Sequence, residues 1–188
     1  GAGQQEYPGN YTGPDPAYLL PIQGRTTMVV SSPYGYRPRP DTAQNRERGQ
    51  VGQPQLHGGV DVPGAEGRDI LQAIDDGVVT HVGNSPVAGY NIQIQHTDVI
   101  NGGTMWTRYL HMAAPSPLQV GSSVRRGDPV GLLGNTGSST GPHLHFEINK
   151  SARRPPGGTS MNPVGYYPPG TIYSRGGDEL RLHPLEAG

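Results

Sequence analysis

His143 and His145 flank Leu144 in the segment His143-Leu144-His145-Phe146-Glu147-Ile148, and an extended chain turns residues two apart to the same side. At a rise of about 3.3 Å per residue the two imidazoles stand about 6–7 Å apart at Cα, with Glu147 on their face. Two imidazoles so placed can share a metal ion, or one can bind it while the other faces a reaction. A second cluster is His57-Gly58-Gly59-Val60-Asp61. On a straight strand His57 and Asp61 would lie about 13 Å apart, too far for ligands of one ion at bonds of about 2 Å. Gly58-Gly59 is the pair best able to bend the backbone between them. His111 is the third element. Alternation places Thr107, Tyr109 and His111 on one strand face and Trp106, Arg108 and Leu110 on the other. Two His and one Asp plus a water make an open, catalytic zinc site, and a chain without Cys offers no thiolate instead. Zinc lowers the pKa of a bound water towards about 7 and polarises a carbonyl. Two further His could then move a proton and steady an oxyanion. Spacing leaves open which of His143 and His145 is the ligand.

These groups need strands to position them. Thr27-Met28-Val29-Val30, Ile70 to Ile74, Val78-Val79-Thr80-His81-Val82, Met105 to His111 and Val130-Gly131-Leu132-Leu133 read as strands. Asn91-Ile92-Gln93-Ile94-Gln95-His96 alternates as a half-buried strand should. Leu144, Phe146 and Ile148 form the apolar face of the last one. No segment of 12 or more residues carries a 3.6-residue period. The 30 Gly and 20 Pro among 188 residues fit a chain full of turns. The expectation is an all-β fold, an antiparallel sandwich or barrel-like single domain. It is framed by an N-terminal arm (1–25) and a Pro/Gly-rich C-terminal extension (151–188), leaving 26–150 as the domain.

The order of the motifs carries a resemblance. His57-x-Gly59-x-Asp61 is followed by Tyr109-x-His111, then by Gly134-Asn135-Thr136-Gly137-x-x-x-Gly141-x-His143-x-His145-Phe146-Glu147. Over about residues 30–150 this resembles the lysostaphin/LytM type of zinc metallopeptidase. Ser32-Pro33-Tyr34-Gly35-Tyr36-Arg37 is similar to that family's opening segment. Asp76-Gly77-Val78-Val79 and Arg126-Gly127-Asp128-Pro129-Val130-Gly131 resemble its intervening strands and turns. The resemblance implies Zn2+ held by His57, Asp61 and His145, with His111 and His143 as the catalytic pair. It implies hydrolysis of peptide bonds in bacterial cell-wall peptidoglycan, in stem or crossbridge, by a secreted, periplasmic, cell-wall or phage-virion protein. The polar Pro38–Pro54 segment departs from the pattern and is expected to be a loop beside the cleft.

Other readings weigh less. A formal charge of −1 gives no case for nucleic acid, and no apolar run is long enough to insert in a membrane; a monomer is expected. Gly1-Ala2-Gly3 does not read as a signal peptide. Gly137-Ser138-Ser139-Thr140-Gly141 satisfies G-x-S-x-G, but that motif needs a helix after it, and a strand pattern follows. Glu147 is a candidate for orienting an imidazole. Tyr109 and Asn135 are candidates for substrate contact, Trp106 for the core, and His81, His96 and His183 for structural or exposed positions. Rival functions are a zinc protease cutting Gly-rich proteins and a non-catalytic cell-wall-binding module. A latent enzyme, with Asp15 or Asn10 of the arm completing the zinc site, is a further expectation.

Overall fold

A computed structural model describes residues 11, 15–152 and 159–182. Asn10, His183 and the turn clusters at 7–10, 13–14 and 155–158 lie outside the described residues. The strands are β1 (Met28–Val30), β2 (Gly35–Pro38), β3 (Pro54–His57), β4 (Val60–Pro63), β5 (Ile70–Gln72), β6 (Gly77–Ser85) and β7 (Gly89–Thr97). They continue with β8 (Thr104–Met112), β9 (Ser123–Val124), β10 (Pro129–Leu132), β11 (His143–Asn149), β12 (Ser160–Met161) and β13 (Ile172–Ser174). The fold is all-β. Its main sheet runs β12-β11-β8-β7-β6-β9, and β4 also pairs with β11, on the edge opposite β8. Pairing is antiparallel except for β1 with β13, a parallel exception to the antiparallel expectation.

Alternation explains the sheet's two faces. Ile92 and Ile94 of β7, Met105 and Tyr109 of β8, and Leu144, Phe146 and Ile148 of β11 are fully buried in one core. Each such side chain contributes about 1.5–3 kcal/mol. Tyr109 packs edge-on against Phe146 and donates to Gln72 O at 2.6 Å. It is therefore a core residue. The opposite face carries His145, Glu147, Arg108 and Gln93.

The period of β8 breaks once. Tyr109 pairs with Ile92 but Met112 with Tyr90, so Leu110 and His111 together oppose Asn91. This β-bulge switches the core positions from odd to even, since both Tyr109 and Met112 are fully buried. Strict alternation would keep His111 beside Tyr109. Instead His111 takes φ 63°, alone among the described non-glycine residues, and its ring turns to the face of His145. The expected grouping of His111 with Thr107 and Tyr109 is corrected by that one extra residue.

Both flanking segments join the same core. Tyr18, Leu20 and Ile22 are buried there, as are Val164, Tyr166, Tyr167 and Ile172. Tyr18 Oη donates to Thr97 O and accepts from Val99 N, and Tyr167 Oη donates to Leu19 O. Asp98, whose side chain is fully buried, takes bonds from Tyr166 Oη and Lys150 Nζ, both at 2.7 Å. The segment expected as a loop between β2 and β3 holds one short helix, α1 (Ala43–Glu47). Thr42 caps it by accepting from Asn45 N. Five residues are too few to show a helical period.

Candidate metal-dependent active site

β3 ends on His57 and β4 starts at Val60, so the Gly58-Gly59 bend turns a separation of about 13 Å on a straight strand into contact. His57 Nε2 lies 3.2 Å from Asp61 Oδ1. A Cβ on Gly59 would stand 2.3 Å from Phe146 O, so only glycine lets β4 lie this close to β11. The β4–β11 register then sets Asp61 directly opposite His145. His145 Nδ1 is 2.9 Å from Asp61 Oδ1 and 3.1 Å from His57 Nε2. His57, Asp61 and His145 are all buried, and one potential ligand atom from each lies within 4.8 Å of the others.

Each group is held from behind. His57 Nδ1–H donates to Pro33 O at 2.8 Å, leaving Nε2 as a lone pair. Asp61 Oδ2 accepts from Arg37 Nη1 at 3.1 Å, and the same Nη1 donates to Ser32 Oγ at 2.6 Å. His145 Nε2 faces Glu147 Oε2 at 2.7 Å. Burial alone would raise the Asp61 carboxyl, but bonds from His145 and His57 hold it well below the usual carboxylate range. Burial alone would lower the His145 pKa, yet its bonds to Asp61 and Glu147 push it up to about 9. The point where the three atoms converge thus calls for a positive charge. A divalent cation meets the same demand, and two imidazoles with one carboxylate and no sulfur suit zinc. The residues fit.

The other two histidines stand beside this cluster with their tautomers set by carbonyl acceptors. His111 Nδ1–H donates to Thr136 O at 2.7 Å, and His143 Nδ1–H to Gly141 O at 2.8 Å. Both therefore present Nε2 as an acceptor. His143 Nε2 lies 3.5 Å from Asp61 Oδ1, and the His111 and His143 ring centroids are 4.9 Å apart. Burial, then the charges of His145 and His143, pull the His111 pKa down to about 4, so its ring is neutral near pH 7.

The structure thus brings His57, Asp61, His111, His143 and His145 together. Asp15 is exposed and is no member of the metal cluster. His96 lies in the sheet, bonded to Asp76 O and Thr107 Oγ1. His81 is exposed on β6, and Trp106 is half-buried. Ser139 Oγ sits 3.2 Å from His143 Nδ1, but that nitrogen spends its proton on Gly141 O and β11 follows instead of a helix. Ser139 is no activated nucleophile. Two residues absent from the sequence reading of the site are Arg37, on Asp61, and Arg108, on Glu147 at 2.9 Å. Arg37 shares a hairpin face with His57, legible only once the β2–β3 register is known. The β8 bulge concealed that Arg108, not Tyr109, shares the site's face.

The fold is similar to that of the catalytic domain of the antimicrobial peptidase lysostaphin from Staphylococcus simulans. That domain aligns with a TM-score of 0.53 and 28% identity, covering 73% of this chain and 91% of that one. Residues 55–163 match the model of Peptidase family M23, and the chain belongs to that family. The DD-carboxypeptidase/endopeptidase Mpg of Neisseria meningitidis serogroup B is 35% identical over 135 residues, which are 72% of this chain and 26% of that protein. The peptidoglycan DD-endopeptidase ShyA of Vibrio cholerae is 48% identical over 73 residues, 39% of this chain and 16% of that protein. The chain spans about a quarter or less of the length of these curated relatives.

Proposed function

We propose that this chain is a zinc-dependent endopeptidase that hydrolyses peptide bonds in bacterial peptidoglycan, with His57, Asp61 and His145 holding the metal. The carrying observation is the convergence of His57 Nε2, Asp61 Oδ1 and His145 Nδ1 beside two imidazoles whose Nε2 atoms are free to accept. When bound, zinc supplies Lewis acidity, polarising a carbonyl and making water acidic enough to react near neutral pH. His111 and His143 do the proton work. One takes a proton from the attacking water at its Nε2, and the pair returns a proton to the leaving amine. The carbonyls of Thr136 and Gly141 keep both rings oriented throughout, and Arg37 fixes Asp61 through the oxygen that faces away from the cluster.

Two relatives are named as DD-endopeptidases, so a crosslink between D-amino acids is the first bond to test, ahead of stem bonds and glycine bridges. Such a substrate lies outside the cytoplasmic membrane, which is where we place the protein's work. Among the described residues no helix is long and apolar enough to cross a membrane. The test is mass spectrometry of purified crosslinked muropeptides after incubation with zinc-loaded protein. One added water at a single peptide bond, lost on chelation and in H143A, is the expected result. Intact crosslinks from several cell-wall chemotypes would overturn the proposal.

A further inference from the structure

His145 can offer a metal either of its ring nitrogens, and what chooses Nδ1 lies on the far side of the ring. Glu147 is two residues along β11 on the same face, and its Oε2 accepts from His145 Nε2–H at 2.7 Å. The other carboxylate oxygen is already committed. Oε1 accepts from Arg108 Nη1 at 2.9 Å and from Asn149 Nδ2 at 3.2 Å. Arg108 is Glu147's direct partner across β8 and β11, and the side chains of the pair are only 3% and 9% exposed. Two donors hold one oxygen, so the carboxylate is oriented before His145 meets it.

The junction is also roofed. A Cβ on Gly59 would come 2.9 Å from Glu147 Cγ and 3.0 Å from His145 Nε2. Any residue larger than glycine at 59 would press on both side chains, so the close approach of this bend confines the Glu147–His145 junction from above. A buried ion pair is weak support for stability, since a packed apolar pair of similar volume often does as well. Its placement behind a ligand is what makes it informative: an outer partner fixes a ligating imidazole's tautomer and direction.

We infer that Glu147 is a positioning residue for His145, and that Arg108 and Asn149 hold Glu147 so that the ring presents Nδ1 to the metal. This rests on the metal-site reading above. The test is zinc affinity, measured by competition with a chromogenic chelator, alongside thermal unfolding of the metal-free protein. In Glu147→Gln only the amide oxygen can accept from Nε2–H, which turns the NH2 group against the Arg108 and Asn149 donors. The folded variant should bind zinc about 10–100-fold more weakly than wild type, with its unfolding transition retained. A loss below tenfold would overturn the inference. Should E147Q not fold, Glu147→Asp keeps the charge beside Arg108 but withdraws the carboxylate from Nε2, and the same tenfold threshold decides. If wild type takes up no zinc, this inference and the proposed function fall together. If wild type binds zinc and cleaves crosslinks while the folded variant matches its affinity, only this inference falls.

Discussion

Asp61 and His145 face each other directly across β4 and β11, with Asp61 Oδ1 2.9 Å from His145 Nδ1. Burial opposes a charge on His145, but its bonds to Asp61 and Glu147 raise the pKa from 6.5 to about 9. A metal ion must therefore displace a proton from Nδ1 at any pH below about 9. Apparent zinc affinity should rise about tenfold per pH unit through neutral pH and level off near 9. Stability of the metal-free protein runs the other way. The His145 contribution is full below 6.5 and is lost as pH climbs through 9, so the metal-free melting temperature should drop across that window. Chelator competition at several pH values, paired with calorimetry, checks both. A zinc affinity flat from pH 6.5 to 8.5 would refute the proton competition.

Adjacent glycines should behave differently. A Cβ on Gly59 would press on the Phe146 carbonyl at 2.3 Å, and backbone cannot step aside without parting β4 from β11. A Cβ on Gly58 meets nothing closer than Ser160 at 3.6 Å, an ordinary contact. Gly59→Ala should destabilise the fold by about 1–3 kcal/mol and weaken zinc uptake, whereas Gly58→Ala should leave both nearly unchanged. Chemical denaturation of the two variants reads the difference, and equal midpoints would contradict the close-approach argument.

The clustering residues are legible as candidate ligands because their chemistry is local: a His-x-His on a strand and a His and Asp around a Gly-Gly bend stand out, and the structure brings them together. So are the strands around Ile92, Ile94, Leu144, Phe146 and Ile148, where period 2 is clean. What stayed hidden depends on pairing. Only the β4–β11 register sets Asp61 against His145, and only the β2–β3 register puts Arg37 on His57's side. The bulge at Leu110–His111 inverts the face read from alternation, because one inserted residue undoes every parity argument after it. The flanking segments look like arms in the sequence because Gly and Pro dominate them. Their few apolar residues, Tyr18, Leu20, Ile22, Tyr166 and Ile172, are the ones that reach the core.

That packing bears on the N-terminal segment. An arm lying across the cleft would, once removed, raise activity. Tyr18, Leu20 and Ile22 are instead 1%, 5% and 0% exposed, and Gln72 Nε2 donates to Leu20 O. Losing three buried side chains at about 1.5–3 kcal/mol each removes an amount comparable with a domain's whole stability, about 5–15 kcal/mol. Deleting residues 1–25 should therefore abolish a cooperative melting transition and lower peptide hydrolysis. A truncated protein that melts like the full chain and works faster would restore the latency reading.

His111 holds the left-handed conformation at φ 63° where every other described positive-φ residue is glycine. Its amide donates to Ala88 O and its ring to Thr136 O, so the surroundings impose the conformation. A side chain kept there costs about 1–3 kcal/mol, a strain met most often at functional positions. Two truncations separate strain from chemistry. His111→Ala retains a Cβ in the disfavoured region, while His111→Gly relieves it. The glycine variant should be the more stable by about 1 kcal/mol, although both should lose about 10²–10⁴-fold in hydrolysis if His111 carries a proton. Equilibrium denaturation and single-turnover cleavage of a crosslinked muropeptide measure the two effects independently. If glycine proves no more stable than alanine, the bulge conformation is unstrained. If either variant cleaves at the wild-type rate, the proton transfers belong to His143 alone.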